Sequence, residues 1–183
     1  MLLEVVAAVL VVGGGLAAVI QRARRANTIS QKPRSSSRKY FVELHDVVLV
    51  HGQQHCLVGE VVVLDGNKPL RLLIDTFGET PVWVHDPGSS AQELDVLRES
   101  SSLPPGPVPL DFVADQRRYI AERSGHARVE VRGDAPRVSS PIRFWLYRAV
   151  GEHTAIVLDS PASRIVLIGE RFRPGMYDLL PGK

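Results

Sequence analysis

The chain has 183 residues, 44% of them hydrophobic and 23% charged, with a formal net charge of +2. That length is room for one domain with an appendage rather than two full domains. A single cysteine, Cys56, excludes an internal disulfide framework and any zinc site built from several cysteines, and it is what a cytosolic location predicts.

The net charge hides a division along the chain. Residues 1–20 carry one acid, Glu4, and no base, whereas residues 21–40 carry seven bases (Arg22, Arg24, Arg25, Lys32, Arg34, Arg38 and Lys39) and no acid. Of the 22 bases and 20 acids, 15 and 19 remain for residues 41–183, a net of −4. A domain of that charge is a poor match for nucleic acid, whose phosphates call for clustered Lys and Arg.

Residues 2–20 are almost all Leu, Val, Ile, Ala and Gly. A helix of that length rises about 28 Å, close to the hydrocarbon thickness of a bilayer, so one spanning helix is predicted over 1–20. Gly13, Gly14 and Gly15 would leave a flat spot where a helix of another membrane protein could approach closely. A cleaved signal peptide is the alternative, but nothing basic precedes the apolar run and the residues after it offer a weak cleavage pattern. All the positive charge follows the span. The positive-inside rule then puts the N-terminus outside and the rest of the chain in the cytoplasm.

Residues 21–40 have no apolar periodicity and read as a basic, flexible linker. Arg22, Arg24, Arg25, Lys32 and Arg34 are the cations expected to meet the bilayer surface, each contributing about 1 kcal/mol near an anionic leaflet. Phosphorylation of Ser35, Ser36 or Ser37 would weaken that attraction. The plainer reading is a stop-transfer flank and a solvated spacer.

From residue 41 the pattern changes to short β-branched runs between turn residues. Strands are predicted at 46–51, 55–65, 70–75 and 81–85, with a hairpin signal at Asp65-Gly66-Asn67. Residues 91–99 read as one short helix with Leu94 and Leu97 inward, and 100–109 as a Pro-rich connection. Strands resume at 118–122, 127–132, 142–150, 154–158 and 164–171, with Ser124-Gly125 as a hairpin turn. The fold class expected is mainly β: a small barrel or two-layer sandwich over 41–183, built from antiparallel halves of about 41–90 and 110–183, plus the N-terminal transmembrane helix.

Several features of this region resemble the bacterial family known as domain of unknown function 4178 (DUF4178). They are a strand with Tyr119 leading to a Gly-x-Ala turn at Gly125 and Ala127, an aromatic strand with Trp145 and Tyr147, and Gly169-Glu170 before the ending Leu180-Pro181-Gly182. The first half matches more loosely, through Asp46-Val47-Val48, Gly59 and Trp83, and His45 and Val157-Leu158-Asp159 depart from the family pattern. The family has no assigned activity, so the resemblance implies a fold. Actinobacterial members often carry an N-terminal span and lie beside genes resembling polyamine synthases, which implies a cell-envelope or stress-related association.

The residues offer a few candidate sites. His51, His55 and Cys56 have metal-ligand chemistry around a hairpin turn, although His55 and Cys56 fall on opposite faces of a strand. The plainer reading makes the histidines exposed hairpin residues and Cys56 a small buried hydrophobe. Ser124 with His126 has residue types used in acyl transfer, but no strand-to-helix elbow surrounds the serine. No glycine-rich phosphate loop precedes a helix, and no cofactor is indicated. Trp83 and Tyr147 are expected in the core, or else as pocket walls with Asp75, Glu79 or Asp86 as anionic contacts for a cation such as a polyamine. The two tryptophans, Trp83 and Trp145, are expected in one shared core. The functional expectation is a membrane-tethered cytosolic binding or assembly module. The alternatives are an enzyme, hydrolytic or metal-dependent, and a small-cation-binding domain.

Overall fold

The structure is a computed structural model and describes residues 41–66, 68–88, 91–103 and 106–182. These belong to one compact unit, Lys39–Lys183. The expected span, the expected linker and the cations expected to meet a membrane, Arg22, Arg24, Arg25, Lys32 and Arg34, lie outside the described residues. Among the described residues no helix is long and apolar enough to cross a membrane.

Twelve strands follow one another in chain order: β1 (Val47–Val50), β2 (Gln53–Cys56), β3 (Gly59–Leu64), β4 (Leu70–Asp75), β5 (Val82–His85), β6 (Leu94–Glu99), β7 (Asp111–Ala114), β8 (Arg117–Gly133), β9 (Ile142–Ala149), β10 (His153–Asp159), β11 (Arg164–Phe172) and β12 (Tyr177–Leu180). Eight of them close into an antiparallel barrel in the order β3-β4-β5-β6-β11-β10-β9-β8, and β8 returns to pair with β3. Each chain half supplies four staves, β3–β6 and β8–β11. The halves meet at two seams, Leu94–Glu99 against Leu167–Phe172 and Gly59–Leu64 against Arg128–Gly133.

Pleating sends alternate residues in and out of the barrel. Val61, Val63, Leu72, Ile74, Trp83, Leu97, Phe144, Ile156 and Leu167 fill the interior. The outer wall is covered on two sides. A three-stranded sheet, β12-β1-β2, lays Val48 and Val50, with Leu57 just beyond β2, over Leu73, Val84, Leu94 and Phe172. On another side Leu103, Val108, Phe112 and Ala114, from the Pro-rich connection and β7, cover Tyr119, Trp145, Tyr147 and Val157. Strands covered on both faces lose the alternation that marks a half-buried strand, and every residue of β4 and β5 is buried.

That double cover explains one departure from expectation, and strand pairing the others. Residues 91–99 form no helix: Leu94–Glu99 is strand β6, in which Leu94 faces the covering sheet while Leu97 faces the interior. Their spacing of three imitates a helical face because both faces of this strand are buried. The predicted strand 55–65 is two strands, broken at Leu57-Val58 where the chain passes from the covering sheet to the barrel. Ser124-Gly125 is not a turn. It lies within the 17-residue β8, where Ser124 and Gly125 pair with Trp145 and Phe144. The Phe144 ring packs over Gly125, 3.2 Å from where a Cβ would stand, and replaces the packing that the glycine lacks. Short strands β7 and β12, unpredicted, belong to the outer cover. Trp83 and Trp145 are both buried but not in a shared core, since one lies inside the barrel and the other outside its wall.

The turn signals fared better. Asp65-Gly66 does connect the antiparallel pair β3 and β4, with Gly66 at φ +84°. His51 and Gly52, both with positive φ, join β1 to β2 in a two-residue turn, the backbone twist that tight hairpins favour.

Candidate functional site

A groove runs between the covering sheet and the barrel wall. Its larger part, about 480 Å³, is lined by Gln53, Gln54 and His55 of β2, by Asp75 and the β4–β5 turn with Phe77 and Glu79, and by Arg98 of β6. Its smaller part, about 210 Å³, shares Gln53, His55 and Arg98 and continues to His51 and Phe172. β2 is the edge of its sheet and has β1 as its single strand neighbour among the described residues. Three consecutive β2 residues line the larger part, so the groove follows the edge of the strand rather than one face.

Local geometry holds the polar groups in place. Asp75 ends β4, where its Oδ1 accepts the Phe77 N–H at 3.0 Å and shapes the turn that follows. Its Oδ2 stands 3.4 Å from Nδ1 of His55, and both side chains are nearly buried. Arg98 donates to Oε1 of Gln53 at 3.2 Å and so joins the barrel to the edge strand. Glu79 and Phe77 stand free in solvent, the phenyl ring 75% exposed. An exposed aromatic thus stands beside a carboxylate, a guanidinium and an open strand edge. The groove holds no assembled nucleophile, since no hydroxyl or thiol among the described residues is hydrogen-bonded to the His55 ring.

The structure brings His51, His55, Asp75 and Glu79 to this groove and leaves the other sequence candidates apart. Cys56 is half-buried and does not line the groove. Among the described residues no group of three or more His, Cys, Asp or Glu side chains could hold a metal ion, and the His51 ring instead packs edge-on against Phe172 at 5.2 Å. Trp83 is sealed inside the barrel with its indole N–H donating to Glu99 at 3.3 Å. Tyr147 is sealed on the outer face, where its hydroxyl donates to the Pro109 carbonyl at 2.7 Å and burial pushes its pKa up to about 12. The two rings therefore do not wall one pocket. Asp86 is buried and accepts N–H groups from Phe41, Val42 and Gly88 at 3.1, 3.2 and 2.8 Å, with Arg71 at 3.9 Å. It fastens the first described residues to the barrel. Ser124 and His126 are exposed on β8.

A polar cluster that no sequence pattern exposed lies at one mouth of the barrel. Asp95 is completely buried. Its carboxylate receives Nδ1 of His85 at 2.7 Å, Nε of Arg171 at 2.9 Å, Oγ1 of Thr154 at 3.1 Å and Nη1 of Arg148 at 3.2 Å. Burial by itself would raise the carboxyl pKa, but the His85 hydrogen bond and charge, with Arg171, outweigh it and hold the pKa below the ordinary value. Asp in a Leu-Asp-Val-Leu run was the available signal, masked by the helical reading of 91–99. Both carboxylate oxygens are engaged, so the cluster ties β5, β6, β9, β10 and β11 together rather than presenting a reactive group.

The described residues form a small closed β-barrel with an outer cover and a polar groove at the margin of that cover. No family model, curated protein or solved structure matches the chain.

Proposed function

We propose that this protein is a membrane-tethered binding module whose barrel takes an extended polypeptide segment along the open edge of β2. The tether in this reading is the apolar stretch 2–20 with its following cations, the N-terminus lying outside and the barrel in the cytoplasm. Kinship with DUF4178 belongs to the same reading. The observation that carries it is the groove, in which an edge strand with one neighbour runs beside Glu79, Arg98 and the exposed Phe77. Added strands gain affinity from main-chain hydrogen bonds and selectivity from the side chains alongside, here a carboxylate, a guanidinium and an aromatic face. With Trp83, Phe144 and aliphatic side chains filling the interior, recognition falls to the outer surface.

One observation favours a second reading, an enzyme. His55 is oriented by the Asp75 carboxylate at the groove wall, which is two parts of a three-part nucleophile arrangement.

A photocrosslinking residue at Gln54 of the full-length protein in its native membrane tests the module. A discrete adduct is expected from Gln54 and none from the exposed Arg137. Equal adducts from both positions, or none from either, would overturn it. His55→Gln separates the readings: a module keeps its adduct, whereas a substrate turnover abolished by this change would establish the enzyme.

A further inference from the structure

We propose that the outer face of β8 and β9, centred on Arg128, His126 and Arg143, is the surface by which the barrel lies on an anionic bilayer. The inference rests on the tether proposed above and adds which face meets the membrane.

His126 is directly opposite Arg143 across the β8–β9 ladder. Arg128 follows two residues along β8 on the same face, a diagonal neighbour of Arg143. All three side chains are exposed. Most arginines of this domain are neutralised: Arg71, Arg118, Arg123, Arg132, Arg148, Arg164, Arg171 and Arg173 each pair with a carboxylate. Arg128 and Arg143 form no ion pair among the described residues. The Arg143 guanidinium is instead laid over the Trp145 ring at 4.9 Å from its centroid, which holds the charge in place. Half-buried Leu64, paired with Arg128, and Val62 lie on the neighbouring strand β3. Val62 and Leu64 belong to neither the hydrophobic cluster under the covering sheet nor the one under the Pro-rich connection and β7.

The domain from residue 41 onward is net negative, at −4. Arg98, Arg117 and Arg137 also form no ion pair among the described residues, but they stand singly on β6, at the start of β8 and in the β8–β9 connection. Arg128 and Arg143 stand side by side, and that doubled charge is what an anionic leaflet attracts. The 20 residues of linker 21–40 could extend to at most about 70 Å, well beyond the roughly 15 Å radius of gyration expected for such a domain. A tether that long does not select a face, so the charge pattern does. Counted around the barrel order, β8 and β9 stand opposite β6 and β5. The strands that contribute Arg98 and Val82 to the groove therefore face away from the lipid, and the groove stays open to the cytoplasm.

The experiment uses the full chain reconstituted into vesicles, with Cys56→Ser and a fluorophore on Ser124→Cys, beside the patch. A second sample carries the fluorophore on Gln54→Cys as a control. With 30% phosphatidylserine and a headgroup quencher, the label at 124 is expected to be quenched several-fold more than the label at 54. That difference should vanish in 0.5 M salt, in all-phosphatidylcholine vesicles and in Arg128→Glu/Arg143→Glu, and persist in Arg128→Lys/Arg143→Lys. A vesicle-bound protein whose label at 124 is unquenched, or quenched regardless of salt, would overturn the docking face and leave the tether standing. Protein that washes off in carbonate would overturn the tether and this inference with it. Quenching relieved by added RNA, with RNA bound at the same face, would replace lipid as its occupant.

Discussion

Asp95 shows how one residue can hold a barrel mouth together. The carboxylate lies among two guanidiniums, an imidazole and a hydroxyl drawn from four other strands. Removing one member of such a buried network leaves uncompensated charge, at a cost of about 3–5 kcal/mol. Asp95→Asn, nearly isosteric, is therefore expected to shift the urea midpoint at neutral pH by an amount equivalent to that range. Its pKa in the folded protein lies below the ordinary value, whereas the unfolded chain titrates near about 3.9. The stabilisation is thus complete above the unfolded value and is lost as pH falls through the folded one. Wild-type stability should drop through that acid window, and Asp95→Asn should flatten this part of the profile. An unchanged acid profile in the variant would show that Asp95 is not the group responsible.

Among the elements, the wall of the barrel separates two cores. Trp83 packs with Leu97, Ile74 and Phe144 inside, and Trp145 with Tyr147 and Val157 outside. Each change to Ala is expected to cost about 3–5 kcal/mol, as for other buried large-to-small substitutions. Because the rings belong to separate clusters, the two costs should add to within about 0.5 kcal/mol. A denaturation double-mutant cycle with a coupling of several kcal/mol would refute that separation. The β6–β11 seam has its own weak point at Gly169, where a Cβ would stand 1.9 Å from the Val96 carbonyl oxygen. Backbone must move to admit it, so Gly169→Ala is expected to lower the melting temperature sharply, while Gly52→Ala meets no neighbouring atom and bears only the cost of its positive φ.

The barrel closes only where the two chain halves meet. Neither half has more than four barrel staves, and both seams bring together strands far apart in sequence. Residues 41–100 and 108–183 expressed separately should remain unfolded by circular dichroism and amide exchange, because each would expose two barrel edges and an apolar face. Independent folding of either half would contradict the two-seam closure. The proposed orientation is also a whole-molecule matter. Val150, 94% exposed on the β9–β10 turn, is a better reporter than half-buried Cys56. In a Cys56→Ser background, Val150→Cys should resist a membrane-impermeant thiol reagent in intact cells and react after lysis. Labelling without lysis would place the barrel outside.

The residues alone were enough for the β class, the bounds of β4 and the Asp65-Gly66 turn, because β-branched runs and turn residues act locally. They also put His55, Asp75 and Glu79 among the candidates by chemical type, and the groove contains all three. What they could not convey was which faces would be covered. An outer sheet and an outer strap bury the second face of several staves, erase their alternation and make β6 imitate a helix. Gly125 reads as a turn until Phe144, from a strand some 19 positions later, is seen to fill its space. Trp83 and Tyr147 share an aromatic character that suits a pocket, but strand parity and barrel closure put them on opposite sides of one wall. Periodicity reports whether a side chain points one way or the other. Only closure decides which way is inside, and only the covering layers decide whether outside means water.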